Sequence, residues 1–433
     1  MLKKFLAATL IIGNLFCNSV ADAEIKTYTA TAGDSADKLE TQEVVKLRAL
    51  DKAIKIASKQ AEADFKNKFG NELSDEEISA IIANAGELGE VTYTQAKFSW
   101  QAAIELKIDD AEVENWIRRD DREKFTLLNQ NREIQKLCEV NADKVDKLRE
   151  RAENMNKQDK KFFKDEFEFL ANEFLSNHKV AEGNKFAWRG RIDDAINLYK
   201  EAIDLNKYNA AALNWRGNLY NVIAENQKII SMAESNRRQA LSDFDMAIRL
   251  NQNYSEAFGN RGLTYYDAKN YSAAIKDFTR AIQLEPNAAQ NYVYRAQCYR
   301  QTDKNLALAD FNKAAELSPN AAYVYSNRGN FYEYDLKDFS KALDDYTRAI
   351  DLERRENSLP IYFNNRGGAY QKLKMYGKAI DDYTRAIEIS ERSEQKNPLL
   401  PWIYRKRGEC YQAVGDGAHS QADFKKFAEL QRR

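Results

Sequence analysis

Residues 260–286 read NRGLTYYDAKNYSAAIKDFTRAIQLEP. Within this stretch Gly262 precedes a tyrosine by three residues, Ala274 precedes Phe278 by four, and Pro286 closes the segment. Small and aromatic residues at these helical spacings allow the rings of one helix to fill notches on another. A proline prevents the second helix from continuing. The stretch therefore predicts two helices that pack face to face across a short turn.

The same pattern recurs along the second half of the chain. The small residue returns at separations of 34, 45, 34, 33, 38 and 41 residues, and an aromatic follows it by three each time. This pattern over residues 176–433 resembles the tetratricopeptide repeat, a helix–turn–helix unit of 34 residues. The resemblance implies an α-solenoid of about seven repeats. The small residues are Gly183, Gly217, Gly262, Ala296, Gly329, Gly367 and Gly408.

The second repeat is longer than the others. It carries eleven extra residues between positions 221 and 239, since 45 replaces the usual 34. Apolar side chains such as Val222, Ile229 and Met232 continue through this insertion. They predict that both helices of the repeat are lengthened and that no loop is inserted.

Residues 24–119 predict a small α+β domain. Alternation over 25–32, 91–98 and 102–108 is typical of strands, and a helix with its apolar residues on one face begins near Thr41. Ser74 with Glu77 three residues later predicts a capping box at the start of a second helix. This order resembles the N-terminal domain of flagellar assembly protein T and similar domains of small outer-membrane lipoproteins, which would make it a bacterial extracytoplasmic domain.

Residues 120–175 predict charged linker helices. Their apolar stripe, which includes Leu137, Val145 and Leu148, is short and interrupted by Asn141. We expect a connecting helix that packs on a neighbouring domain. A coiled coil with a partner is the alternative.

The first 23 residues have the form of an export signal. Lys3 and Lys4 precede an apolar run over 5–17, and small residues stand where a signal peptidase reads, which predicts cleavage between Ala23 and Glu24. We then expect the mature chain in the periplasm or cell envelope, and we favour this over secretion. It has no further apolar run long enough for a membrane span. Lipidation of Cys17 is the rival interpretation, but Phe16 is too bulky for the residue before such a cysteine.

Composition excludes several classes of protein. The chain of 433 residues has 66 Lys and Arg against 67 Asp and Glu, so it lacks the basic excess of a nucleic-acid binder. Once the signal is removed, an odd number of cysteines remains, which is no disulfide framework. We expect these three, Cys138, Cys298 and Cys410, to be small buried side chains.

No catalytic or cofactor motif stands out. The sequence has no glycine-rich phosphate loop, no Cys-x-x-Cys and no His-Glu-x-x-His. Its two histidines, His178 and His419, fall in the first and last repeats, too far apart in a solenoid to share a site. We therefore predict that the chain is not an enzyme and that it needs no metal or cofactor. No motif supports a hydrolase.

Two charge patterns run through the repeats. On the second helix an aspartate stands three residues before a basic residue, as in Asp277/Arg280 and Asp310/Lys313, which predicts ion pairs on a solvated face. On the first helix an arginine precedes the small residue. This row could bind anions, but we favour ion pairs with the same aspartates, because isolated buried charges are costly. The arginines are Arg216, Arg261, Arg295, Arg328, Arg366 and Arg407.

Asparagines precede three of these arginines, at Asn260, Asn327 and Asn365. In a tetratricopeptide array this place faces the inner groove, and a side-chain amide can match a peptide backbone. The row resembles part of the asparagine ladder in the O-linked N-acetylglucosamine transferase superhelix; alternatively, asparagine is simply common at this place. The predicted groove residues are Asn214, Asn218, Asn260, Tyr266, Gln297, Arg300, Asn327, Asn330, Asn364, Asn365, Gln371 and Arg405.

The groove does not match the clamp by which cytosolic tetratricopeptide adaptors hold chaperone tails. Asn330, Asn365 and Lys406 occupy plausible places, but Ser326 and Trp402 stand where that clamp needs lysines. The sequence thus predicts an exported scaffold that binds a protein or an extended peptide in its concave groove. The alternative is a structural subunit of an envelope assembly, such as a flagellar or secretion apparatus, that uses its linker helix or convex face.

Overall fold

The computed structural model describes residues 25–35, 42–69, 73–88, 91–96, 99–109, 159–227, 229–353, 359–393 and 397–431, with isolated positions between 116 and 147. The predicted signal, its cleavage point at Ala23 and Glu24, Cys17, Cys138 and most of the predicted linker lie outside these residues. The chain forms two compact units, residues 1–119 with 123–206 and residues 120–122 with 207–433. The boundaries at 24, 120 and 176 stay predictions from the sequence.

The first unit contains a four-stranded antiparallel sheet around one central strand. Strand β1 (Ile25–Ser35) pairs along its whole length with β4 (Ser99–Asp109). Strand β3 (Thr92–Ala96) also pairs with β4, and the short β2 (Glu87–Leu88) pairs further along it. The predicted strand pair is confirmed, whereas the sequence pattern gave no sign of β2, which is too short for alternation to be visible.

Two helices cover the sheet. Helix α1 (Gln42–Phe69) buries Ala53, Ala57 and Ala61 completely, so its backbone packs closely on β1 and β4. Helix α2 (Asp75–Ala85) begins with the predicted capping box. The Glu77 amide donates to Ser74 Oγ at 3.3 Å, and the Ser74 amide donates to Glu77 Oε2 at 2.9 Å. The prediction of one long helix on a short sheet is confirmed.

A tryptophan pair lies in the core of this unit. Trp116 stacks on Trp188 with ring centroids 5.1 Å apart, and both side chains are buried. The indole of Trp116 also donates to Glu77 Oε1 at 3.0 Å. Two residues of the predicted linker, Arg132 and Lys144, form ion pairs with Glu76 and Glu173 of the same unit. Arg132 thus contacts the α+β domain, whereas the Lys144 pair lies within the predicted linker; the packing of the whole linker stays a prediction.

In the described residues from 159 onwards, seven helix pairs follow one another, which confirms the mainly α fold and the solenoid. Repeat 1 belongs to the first unit and repeats 2–7 to the second. The pairs are α3 (Asp159–Trp188) with α4 (Ile192–Leu205), α5 (Ala210–Asn226) with α6 (Ile230–Leu250), α7 (Ser255–Asp267) with α8 (Tyr271–Leu284), α9 (Ala289–Tyr299) with α10 (Lys304–Leu317), α11 (Ala322–Phe331) with α12 (Phe339–Leu352), α13 (Leu359–Lys372) with α14 (Tyr376–Arg392), and α15 (Leu400–Ala413) with α16 (Gly417–Gln431).

The two helices of a repeat interlock through the predicted small and aromatic residues. A Cβ atom at Gly329 would lie 2.8 Å from the ring of Tyr346, and one at Gly367 would lie 2.9 Å from the ring of Tyr383. Both rings are fully buried. Glycine at this place lets the second helix approach until its ring fills the space of the absent side chain.

The second repeat is lengthened as the sequence predicts. Its helices α5 and α6 have 17 and 21 residues, compared with 13 and 14 for the pair α7 and α8. The added apolar side chains are not buried: Ile229 is 55% exposed and Ile230 is 75% exposed.

None of the described helices is long and apolar enough to cross a membrane.

We expect Gly329→Ala to lower the free energy of unfolding by about 2 kcal/mol, because its methyl group would overlap the Tyr346 ring and overpacking of a core costs about 1–3 kcal/mol. Urea unfolding followed by circular dichroism measures this change. Gly377→Ala is the matched control, since a Cβ there meets nothing within 4 Å. Equal stability of the two variants would contradict the interlocking described above.

Candidate functional site

The arginine row is part of the interior of the repeats. In repeats 2–7 the guanidinium of each first-helix arginine makes two parallel hydrogen bonds to an aspartate of its own second helix, at 2.7–2.8 Å. The aspartates are nearly buried, and the arginine side chains are 16–20% exposed. The predicted structural role is therefore confirmed. The pairs are Arg216–Asp243, Arg261–Asp277, Arg295–Asp310, Arg328–Asp345, Arg366–Asp382 and Arg407–Asp423.

The remaining guanidinium nitrogen connects successive repeats. Arg366 Nη1 donates to Thr347 Oγ1 in the second helix of the preceding repeat, at 3.3 Å, and Arg328 Nη1 donates to Asn312 Oδ1 at 2.9 Å. Repeats 3, 4 and 7 have the same bond. Hydrogen bonds to Asp382 hold the pKa of Arg366 above its ordinary value. One arginine thus joins three helices.

The ion pairs predicted within the second helix are wrong. Asp310 gives its carboxylate to Arg295 of the facing helix, and Lys313 turns to Glu316 at 3.0 Å. In the same way Arg385 pairs with Glu388. A spacing of three residues shows which side chains share a helix face, but the aspartates point into the helix pair, where the guanidinium fork offers the stronger bidentate contact.

The predicted groove residues belong to the first helices of repeats 2–7, and we call the partly exposed side that they share the first-helix face. Asn260 Nδ2 donates to Asn214 Oδ1 of the preceding repeat at 3.0 Å. Gln297 Nε2 donates to Asn327 Oδ1 of the following repeat at 2.8 Å. Neighbouring first helices are therefore joined by amide–amide hydrogen bonds. Sequence reasoning placed these residues but did not foresee that they bind one another.

Exposure differs along the row. Asn214 is fully buried and Asn364 is buried, so their side chains lie beneath the surface. Most of the others are half-buried, which leaves part of each amide in contact with solvent. The half-buried members are Asn218, Asn260, Tyr266, Gln297, Arg300, Asn327, Asn330, Asn365 and Gln371.

The two cations of the predicted groove are paired. Arg300 binds Asp335 through Nε at 2.9 Å and Nη2 at 2.6 Å. Arg405, which is exposed, binds Glu409 at 3.1 Å. The predicted residues therefore present amides and aromatic rings more than net positive charge.

The sequence did not reveal a buried carboxyl group on this face. After α11 the chain continues as one π-helical turn, residues Tyr332–Leu336, which turns Glu333 inward. Glu333 is 3% exposed, and burial raises the pKa of its carboxyl group. Tyr346 Oη lies 2.8 Å from Glu333 Oε2. π-Helical turns are frequent at functional sites, so this turn marks Glu333 as a candidate functional residue. The repeat pattern of the sequence does not indicate the turn.

A half-buried ammonium group lies near this carboxyl. Lys406 Nζ donates to Asn364 Oδ1 at 3.1 Å, Asn364 donates to Asn365, and Asn365 Nδ2 donates to Asn330 Oδ1 at 3.3 Å. Burial lowers the pKa of Lys406. A chain of amides thus leads from Lys406 to the neighbourhood of Glu333 across repeats 5–7.

The cysteines and histidines show no reactive arrangement among the described residues. Cys298 and Cys410 are buried free thiols, as predicted, and burial raises their pKa values to about 12 and about 11. A thiol with so high a pKa is a poor nucleophile at neutral pH. His419 lies 2.7 Å from Asp416 at an exposed helix start.

Comparison with known proteins agrees with the repeat architecture. The family model described as Tetratricopeptide repeat matches residues 255–288 and 360–393, and the model described as TPR repeat matches residues 183–221. The chain therefore carries tetratricopeptide repeats, as the sequence predicts.

Curated relatives match only part of the chain. Human RNA polymerase II-associated protein 3 is 31% identical over 106 residues, which are 24% of this chain and 14% of that protein. The co-chaperone sgt12 of Aspergillus fumigatus is 25% identical over 120 residues, 28% of this chain and 32% of that protein. The chain thus spans about a seventh of the first relative and about a third of the second.

Solved structures with similar repeats include YrrB, described as a TPR protein with an unusual peptide-binding site. It is 23% identical with a TM-score of 0.32, and the match covers 40% of this chain and 84% of the YrrB chain. A tetratricopeptide repeat protein from Parabacteroides merdae is 17% identical with a TM-score of 0.43, over 59% of this chain and 93% of its own.

We expect Arg366→Met to lower the free energy of unfolding by about 3 kcal/mol, because Asp382 would stay buried without its cation. Urea unfolding measures the loss. The double variant R366M/D382L is the control: replacing both charges by apolar groups should restore more than half of the loss, whereas an anion-binding role for Arg366 would leave the stability of the single variant unchanged.

Proposed function

We propose that this chain is a non-catalytic scaffold and that the first-helix face of repeats 2–7 binds an extended peptide or a segment of a partner protein. The observation that carries the proposal is the row of amides on this face, mostly half-buried, with amide–amide hydrogen bonds between repeats 2 and 3, 4 and 5, and 5 and 6. An amide side chain offers two donor hydrogens and an acceptor oxygen with two lone pairs, so one lateral bond leaves capacity for a ligand.

The chemistry of this face suits a peptide main chain. A main chain presents N–H and C=O groups at regular intervals and carries no net charge, and it is matched by groups that both donate and accept. Asn260 uses one N–H group towards Asn214, and Gln297 uses one towards Asn327. Their other polar atoms remain for a bound strand.

Aromatic rings add a second kind of contact. Tyr266 is half-buried, with its ring centroid 5.8 Å from that of Tyr271 and 6.3 Å from that of Tyr294. Such a cluster offers apolar area with a polar hydroxyl edge, which is typical of protein interfaces. It would hold ligand side chains next to the amide row.

A ligand chosen mainly for negative charge fits less well. Arg300 is neutralised by Asp335, and Lys406 is directed to Asn364. Ser326, one of the places where a carboxylate clamp has lysine, is buried, and Trp402 at the other is 46% exposed. These arrangements support a neutral extended segment and do not favour an acidic chaperone tail.

Site-specific photo-cross-linking tests the assignment of the face. p-Benzoylphenylalanine at Tyr266 should capture a partner in the native host, because this ring lies in the proposed binding surface. The matched control is the same substitution at Tyr208, which is 58% exposed and lies before α5, outside the first-helix face. Mass spectrometry identifies the captured chain.

Capture from Tyr208 but not from Tyr266 would contradict the proposal. Capture concentrated on linker positions such as Lys144 and Lys147 would instead favour the alternative, a structural subunit of an envelope assembly. In that case the repeats would serve as a spacer and the linker would make the contacts.

We also propose that the protein is exported and acts in the bacterial periplasm or cell envelope. The support is the basic and then apolar start of the sequence with small residues before Glu24. N-terminal sequencing of protein from the envelope fraction should read Glu-Ile-Lys. The control is Ala23→Phe, which places a bulky residue before the cleaved bond and should leave a longer chain. A cytoplasmic protein that begins at Met1 would contradict export.

A further inference from the structure

Two consecutive glycines in helix α13 have different surroundings. A Cβ atom at Gly367 would lie 2.9 Å from the Tyr383 ring, so packing of the repeat excludes a side chain there. A Cβ atom at Gly368 would meet only Glu333 Oε1 at 3.7 Å and Tyr383 Oη at 3.8 Å, which are ordinary contact distances. The protein itself therefore has room for alanine at position 368.

The fold gives no reason for glycine at position 368. Glycine inside a helix is destabilising relative to alanine. The six other repeats have a side chain at this place, and only repeat 6 has none. The space that a side chain would occupy at position 368 is bordered by a carboxyl group and a phenol, each at ordinary contact distance from the Cβ position. In chain order the other residues at this place are Asn184, Asn218, Leu263, Gln297, Asn330 and Glu409.

The carboxyl group beside Gly368 can accept more hydrogen bonds than its neighbouring tyrosines supply. Tyr346 Oη lies 2.8 Å from both Glu333 Oε2 and Asn330 Oδ1, and the Tyr334 hydroxyl also hydrogen-bonds Glu333. An ionised carboxylate has about four lone-pair sites, so two phenols leave some of them open. Lys406, Lys372 and Lys337 act on Glu333 at longer range. A buried carboxylate is stabilised by several hydrogen bonds. Glu333 therefore has acceptor capacity that a donor beside Gly368 would use.

The ammonium group of Lys406 is the complementary element. Its contact within hydrogen-bond distance among the described residues is Asn364 Oδ1, and an ammonium carries three hydrogens. Lys406 Nζ also lies 6.0 Å from the centroid of Tyr383, the residue whose hydroxyl borders the space beside Gly368. Glu333 and Lys406 form no ion pair in the described structure although each acts on the other's charge.

We propose that repeats 5–7 contain a subsite for a neutral amide of the bound segment, seated beside Gly368 with its N–H directed to Glu333 and its C=O directed to Lys406. The inference rests on the proposed peptide-binding function and specifies one ligand group within it. Glycine at position 368 lets that group approach the α13 backbone. The source is either an Asn or Gln side chain or the peptide main chain.

Charge distinguishes an amide from other ligand groups. A cationic side chain near Glu333 would face Lys406, Lys372 and Lys337, and an anionic one near Lys406 would face Glu333 and Glu409. A neutral amide places a donor against the acceptor and an acceptor against the donor. It adds one hydrogen bond to each group and introduces no charge beside the buried Glu333.

Phage-displayed random dodecapeptides panned on the full mature chain provide the probe. Selected peptides are measured by fluorescence polarisation against the wild type, Gly368→Ala and Gly377→Ala. Gly368→Ala should weaken binding about tenfold and raise the melting temperature, because the methyl group fills the subsite but favours the helix. Gly377→Ala, whose Cβ meets nothing within 4 Å, should leave binding unchanged. Lys406→Met should also weaken binding about tenfold, with Lys425→Met, at an exposed lysine of α16, as its control.

Peptide variants separate the two sources of the amide. If a selected Gln or Asn is the anchor, its replacement by norleucine removes the sensitivity to Gly368→Ala; if the main chain is the anchor, N-methylation at one position does so. Equal affinity of the wild type and Gly368→Ala for peptides that cross-link at Tyr266 would overturn the subsite and leave the proposed function standing. Selection of no peptide would overturn both, and dependence on a charged ligand residue at this place would overturn the amide assignment.

Discussion

The bidentate arginine–aspartate pair is the interaction on which the repeat array depends. A helix pair of this size has no core of its own, and it becomes stable only when neighbouring pairs stack on it. In repeats 3–7 one guanidinium binds the aspartate of its own repeat and reaches the second helix of the repeat before it. Each such arginine therefore fixes both the geometry within a repeat and the step to its neighbour.

Because these charges are used inside the repeats, the first-helix face is left for other chemistry. The interlocking of glycine and aromatic residues, as in Gly329 with Tyr346, holds the two helices of a repeat together. The arginine–aspartate pairs and the glycine–aromatic contacts do not depend on which residues occupy the amide row. The array tolerates Trp215, Tyr294 and Lys406 where other repeats have asparagine. Binding residues can vary while the framework stays the same.

The periodic part of the structure was predictable because every repeat solves the same packing problem. The small residues, the rings and the arginines recur at fixed offsets, and each recurrence confirms the others. The ion pairs were predicted within one helix and are formed between two, since spacing along a helix does not tell which side chain on the facing helix competes. Asn214 was predicted for the groove but is fully buried, because the sequence does not show how deeply a neighbouring first helix packs.

Residues that depart from the repeat pattern indicate function better than the residues that follow it. Gly367 and Gly368 are identical in chemistry and adjacent in sequence, yet only Gly367 belongs to the recurring pattern, and only Gly367 is explained by a ring that occupies its side. Glu333 likewise falls in the one described turn that leaves α-helical register on the first-helix face. In a repeat array the positions shared by all repeats form the structural framework. A residue that destabilises the fold, occurs in one repeat only and has no packing reason is therefore a candidate functional residue. The two exceptions meet at one place, and this coincidence in space is what the sequence alone could not show.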